Sequence, residues 1–205
     1  MKEIRECFRT GSVIEIRYVG GGEKSLPVQS IGAGISWPVT ASYYCSFLAK
    51  ANAPDSDGIY KIHLIQEIEE NLPTEFHKAI AENSSKLLCR SFFAPIAEDN
   101  FDHYNALKDY LNSRGLEMVG IFPPAITNFS AGIRFVMQLS KEGKLDLSKD
   151  SLLAQQLGQM TGEALQGINQ HEFNSAQSLV NVISYFHQKP VAVPETVKSG
   201  WRYNE

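Results

Sequence analysis

The stretch from Ser12 to Glu70 constrains this chain most, because it holds several runs of strand periodicity separated by turn-forming residues. In the run Val13 to Val19, residues Ile14, Ile16 and Tyr18 share one face while Glu15 and Arg17 share the other, the period-two alternation of a half-buried strand. Gly20-Gly21-Gly22 follows, three residues without Cβ that take the positive-φ geometry of a hairpin turn. A triple glycine can also cradle a phosphate, but such a loop leads from a strand into a helix with Lys-Ser or Lys-Thr at its end. Here Glu23-Lys24-Ser25-Leu26-Pro27 comes next, and the turn is the reading adopted.

A second strand is expected from Leu26 to Ile31, near an edge or a strand start because Pro27 cannot donate to a ladder, and broken by Gly32-Ala33-Gly34. Trp37 to Leu48 reads as a third, with Val39, Ala41 and Tyr43 on one face and Thr40, Ser42 and Tyr44 on the other. Pro54-Asp55-Ser56-Asp57-Gly58 marks a turn, and Ile59 to Ile68 resumes with Tyr60, Ile62 and Leu64 on one side. Four strands with short polar turns suit a small twisted barrel.

The order of a short amphipathic helix over Lys2 to Arg9, Ile14-x-Ile16-x-Tyr18, Lys24 before Pro27, Trp37-Pro38-Val39-x-Ala41 and Tyr60-x-Ile62-His63-Leu64 resembles the WYL domain. The resemblance covers about one third of the chain and implies an Sm-like β-barrel over residues 1–70 that contacts a nucleotide or nucleic acid. Trp37-Pro38-Val39 stands where that family has Trp-Tyr-Leu, and Ile62 to Glu67 where it has an arginine-rich strand. The ligand-contacting set it implies is Arg17, Lys24, Trp37, Tyr43 and His63.

Asn71-Leu72-Pro73-Thr74 reads as a boundary where the pattern changes period, opening a helix through Phe76 to Ala81 that Asn83-Ser84-Ser85 closes. Lys86 to Phe93 reads as a strand, Asn100 to Ser113 as a helix with Phe101, Tyr104, Leu107 and Leu111 on one stripe, and Leu116 to Phe122 as a strand, together a short βαβ element. Beyond Pro123-Pro124 the chain reads as helical: one helix carries Phe129, Ile133, Val136 and Met137, a second, capped by Ser148, carries Leu153, Leu157, Met160, Ala164 and Ile168, and a third carries Ala176, Leu179, Val180, Ile183 and Phe186. The polar faces of the last two are rich in Gln, Asn and Ser, which suits either a protein partner or solvent. An extended tail, Lys189 to Glu205, completes a region 71–205. The fold class expected is therefore α+β, an N-terminal Sm-like barrel followed by a helix-rich region.

A net charge of −4 argues against broad, nonspecific nucleic-acid binding, which rests on clustered Lys and Arg. Residues 1–70 hold seven Lys and Arg against nine Asp and Glu, so the strand-rich part is no more basic than the rest. The N-terminus alternates charge, no apolar run approaches the length of a membrane span, and a cytoplasmic location is expected. Cys7, Cys45 and Cys89, odd in number and far apart, fit reduced core thiols.

Glu98-Asp99-x-x-Asp102-His103 follows the expected strand at 86–93, so carboxylates and an imidazole could meet there to bind a divalent metal or act as acid and base. The same residues also suit a plain helix start, with Asp99 or Asn100 as cap and Asp102 complementing the dipole. No nucleophile elbow, Walker loop or dinucleotide fingerprint is present, and no cofactor is implied. The sequence thus leads to a non-enzymatic ligand-sensing or adaptor subunit, its barrel contacting a nucleotide, a nucleic-acid end or a partner and its helices mediating assembly. The alternative is a small divalent-metal-dependent enzyme acting at Asp99, Asp102 and His103.

Overall fold

The computed structural model describes residues 4–38, 42–95, 100–116, 129–147, 151–159 and 174–187. Five strands come first: β1 (Ile4–Thr10), β2 (Val13–Tyr18), β3 (Glu23–Ser36), β4 (Tyr43–Ala51) and β5 (Ile62–Glu70). Then follow α1 (Pro73–Leu87), β6 (Phe92–Phe93), α2 (Phe101–Asn112), α3 (Phe129–Lys141), β7 (Leu145–Asp146), α4 (Leu152–Gln159) and α5 (Asn174–His187). The strands form one mostly antiparallel, seven-stranded sheet in the order β1-β2-β3-β4-β5-β7, with β6 lying parallel to β3. The chain is an α+β protein with an open sheet, not a closed Sm-like barrel.

Two local features explain the departure from a barrel. β3 runs for 14 residues straight through Gly32-Ala33-Gly34, pairing with β2 along its first half and with β4 and β6 along its second. Residues 4–10, expected as a helix, form β1 because Cys7 and Phe8 pair with Ile16 and Glu15 of β2, and tertiary pairing overrides local amphipathicity. The Gly20-Gly21-Gly22 turn is present as read, all three glycines at positive φ and the Gly21 N–H bonded to the Tyr18 carbonyl. The helix opening at Pro73 runs past Asn83-Ser84-Ser85 to Leu87, since the Asn83 and Ser85 side chains bond back to the Ala79 and Ala81 carbonyls within the helix. The second strand of the expected βαβ element, Leu116 to Phe122, lies outside the described residues beyond Leu116, as do the helix continuation at Met160 to Ile168 and the tail.

The sheet is covered on both faces. On one, Ala33, Ile35, Cys45, Phe47 and Ile68 pack against Phe76, Ile80 and Leu87 of α1 and Leu107 and Leu111 of α2. All three cysteines are buried and unpaired, as their apolar settings suggested. On the other, Leu48, Ile62 and Phe93 meet Ile133 and Val136 of α3, Leu153 of α4 and Leu179, Val182 and Phe186 of α5. α5 lies so close on β3 that a Cβ built on Gly34 would fall 1.9 Å from the Ser178 carbonyl oxygen. Gly34 is thus where a helix backbone meets a strand backbone, Gly32 faces the side chains of Val182, Phe93 and Phe186, and both leave the ladder intact.

Candidate active site at the carboxyl end of the sheet

β3 and β5 both run antiparallel to β4, and β6 runs parallel to β3, so the carboxyl ends of β3, β5 and β6 point to one edge of the molecule. In open α/β sheets that edge is where ligands gather. The register aligns Ser36, Tyr44 and Glu69 across three neighbouring strands there, with Ser46 opposite Glu67 one step inward.

On the α5 side of this edge the packing is polar. Ser42 donates to Glu69 Oε1 at 2.5 Å, and Asn174 at the start of α5 donates to the Ser42 carbonyl at 2.8 Å and to its hydroxyl at 3.4 Å. Tyr44 donates its hydroxyl to Glu67 Oε1, which also accepts the Leu153 N–H of α4 at 3.1 Å. Ser36 bonds Gln177 at 2.8 Å, Ser46 bonds Ser178 at 2.5 Å, and Asn181 donates to the Ile35 carbonyl at 2.8 Å. The polar residues 174, 177, 178 and 181 form a helical stripe, and their sheet partners satisfy them, as buried polar groups require. The Asn, Gln and Ser face of α5, read from sequence as solvated or offered to a protein partner, is covered by this chain's own sheet.

The two carboxylates differ in setting. Burial pushes Glu67 above the ordinary carboxylate range, against the lowering effect of the Tyr44 hydroxyl and the N–H groups of α4, and nearby Glu69 adds to the rise. Burial, followed by the charge of Glu67, drives the Tyr44 phenol far above its ordinary range, so it remains a donor. Glu69 is exposed, and among the described residues its Oε2 takes no hydrogen bond.

The opposite side of the same edge is aromatic. Trp37 donates its indole N–H to the Pro95 carbonyl at 2.9 Å and stacks on His103 with ring centroids 6.1 Å apart. His103 Nδ1 lies 3.1 Å from the Tyr43 hydroxyl. Neighbouring His77 is buried, its Nε2 without a hydrogen-bond partner among the described residues; desolvation first, then the proximity of His103, holds it below its ordinary value.

The residues singled out from sequence scatter over these surroundings. Arg17 is tied to Glu6 at 3.1 Å and Glu23 at 3.0 Å on the exposed face of the hairpin. Lys24 and His63 line a groove of about 380 Å³ at the other end of β5, where His63 pairs with Asp146 at 2.9 Å. Trp37 and Tyr43 are buried under α2. Asp102 is exposed at the helix start while His103 is turned into the aromatic cluster, so the two do not converge, and Asp99 lies outside the described residues. Glu67, Glu69, Ser42 and Asn174 went unnoticed as site residues; the one available signal was a pair of carboxylates at strand spacing near the end of β5.

Among the described residues no group of three or more His, Cys, Asp or Glu stands together to hold a metal ion. The exposed Glu69 carboxylate suits a hard divalent cation in a narrower sense, since magnesium-type sites use one or two carboxylates and take further oxygens from substrate phosphate.

No family model matches the chain, so that comparison speaks neither for nor against the WYL resemblance, and no curated protein matches it in sequence. Solved structures do resemble it. Large terminase from the thermophilic bacteriophage D6E superposes with a TM-score of 0.53 at 9% identity, over 77% of this chain and 41% of that one. The large terminase nuclease from thermophilic phage G20c with bound zinc gives 0.47 at 12% identity, over 89% and 93%. The fowlpox virus Holliday junction resolvase gives 0.46 at 10%, over 77% and 97%. This chain thus spans less than half the length of the D6E terminase. The likeness to that terminase is one of fold, and it corrects the expectation of a regulatory, ligand-sensing barrel and the lean away from an enzyme. The first rested on a closed N-terminal barrel and the second on the lack of a catalytic motif, and the described residues from 4 to 70 instead supply five strands of an open sheet. No helix among the described residues is long and apolar enough to cross a membrane.

Proposed function

We propose that this chain is a nuclease-type hydrolase domain that cleaves phosphodiester bonds of nucleic acid at the carboxyl end of its sheet. The observation that carries the reading is the carboxylate pair on β5, one half-buried and pushed toward its protonated form, the other exposed and, among the described residues, open at one oxygen. A carboxyl group held toward its protonated form is suited to act as an acid, and an exposed carboxylate beside it to act as a base. Glu69 accepts the proton of an attacking water, and Glu67 is the group suited to return a proton to the leaving oxygen. The terminase-like fold supports the reaction class. An anionic backbone approaching the Glu69 carboxylate needs a counter-charge; a divalent cation held by Glu69 together with the substrate phosphate would neutralise that backbone.

The test incubates the purified chain with supercoiled, linear and four-way-junction DNA and with RNA, in magnesium, manganese or chelator. Cleavage is expected in a divalent cation, falling at least about 100-fold in Glu69→Gln, the scale of losing a positioned acid or base. Melting curves sharpen it: stabilisation by magnesium should require nucleic acid to be present, because the described protein ligands alone do not form a cage. No cleavage of any substrate, or cleavage undiminished in Glu69→Gln, would sink the proposal.

A further inference from the structure

We infer that Ser42 and Asn174 are positioning residues that aim the Glu69 carboxylate; this rests on the reading of Glu69 as the base. Ser42 and Asn174 are 7% and 5% exposed, yet what they serve is an exposed carboxylate. Burying a hydroxyl and an amide costs stability unless both are bonded, and a glutamate at a strand end needs no such support to stay in water. The arrangement is directional. Asn174 donates to both oxygens of Ser42, which fixes the serine hydroxyl so that its proton points at Glu69 Oε1. One carboxylate oxygen is therefore held while the other, among the described residues, is left open, the geometry an acceptor of a substrate proton requires.

The relay also joins three elements. Asn174 opens α5, Ser42 precedes β4 and Glu69 ends β5, with Ser42 and Asn174 132 positions apart in the chain. The contacts that seat α5 on β3, Ser36 with Gln177 and the Ser178 backbone over Gly34, fix where Asn174 stands. The aim of Glu69 thus depends on the seating of a helix that contributes no reacting group of its own.

The experiment compares Ser42→Ala, Asn174→Ala and the conservative Ser42→Thr with the unaltered full chain in the cleavage assay. Each alanine variant is expected to lower kcat roughly 10- to 100-fold with KM within about twofold, the range typical when an orienting partner is removed. Ser42→Thr, which keeps the hydroxyl, should recover most of the rate. A second readout is independent of turnover: in Ser42→Ala the carboxyl carbon resonance of Glu69 should move while the remaining glutamate resonances stay in place. If the unaltered chain cleaves and both alanine variants match it, or if kcat falls but Ser42→Thr gives no recovery and the Glu69 resonance is unmoved, the positioning role is overturned and the active-site reading survives. If the unaltered chain cleaves nothing, the active-site reading fails and this inference fails with it.

Discussion

The two faces of the sheet are built from the same strands by different rules. Toward α1 and α2 the packing is hydrocarbon, aromatic ring and thiol, with Phe47, Phe76 and Cys45 fully enclosed. Toward α5, at the carboxyl end, Ser36, Ser42 and Ser46 meet Gln177, Asn174 and Ser178, and Tyr44 bonds Glu67 beside them. Alternation along β4 makes both at once, Cys45 and Phe47 pointing one way and Tyr44 and Ser46 the other. Hydrocarbon burial yields stability in proportion to area, whereas a buried polar network yields modest net stability and specifies geometry. A chain that spends one face on each holds its shape with the first and its site with the second.

Four measurements break or sharpen that contrast. Phe47→Ala, on the dry face, should cost about 3–5 kcal/mol in denaturant unfolding, the range for removing a fully enclosed aromatic ring. Gly34→Ala should cost about 1–3 kcal/mol, since its Cβ has no room beneath the Ser178 carbonyl and α5 must lift. A loss near zero would mean that α5 is not seated there.

The third is a pH profile, in which the faces oppose each other. His77 is held below its ordinary 6.5, so as pH falls from that value the unfolded chain gains its proton first and stability declines toward acid. Glu67 is raised above its ordinary 4.5, so as pH climbs from that value the unfolded chain loses its proton first and stability declines toward neutrality. Glu67→Gln should therefore gain on the unaltered chain as pH rises from about 4.5, and His77→Leu should gain on it as pH falls below about 6.5; parallel curves for all three would refute the assignment. The smallest effect is expected from the double change Ser46→Ala with Ser178→Ala, within about 1 kcal/mol, because both ends of one bond are removed together. A loss comparable to that of Phe47→Ala would erase the distinction between the faces.

What was legible beforehand follows the range of the interactions. The alternation of Ile14 and Ile16, the Gly20-Gly21-Gly22 turn, the burial of Cys7, Cys45 and Cys89 and the helix at Asn100 to Ser113 are local, and the structure contains each. The strand nature of residues 4–10 was hidden because it is set by pairing with β2. Gly32 and Gly34 looked like breakers because the helix they make room for begins 140 positions after Gly34. The site was hidden for the same reason. Glu67 and Glu69 acquire distinct settings from Tyr44, Ser42, Leu153 and Asn174, none of them a sequence neighbour, while Asp102 and His103 are adjacent in sequence and diverge in space.

The length of β3 sets a kinetic consequence. Its second half pairs with β4 throughout and, at Ala33 and Gly34, with β6 on the other edge, whereas its first half pairs with β2 and meets β4 only from Val28 onward. Amide hydrogens from Ile31 to Ile35 should therefore exchange more slowly than those of Lys24 to Leu26, which separation of the hairpin would release. One continuous strand thus carries two cooperative units, and the hairpin can open without disturbing the edge where Glu69 stands.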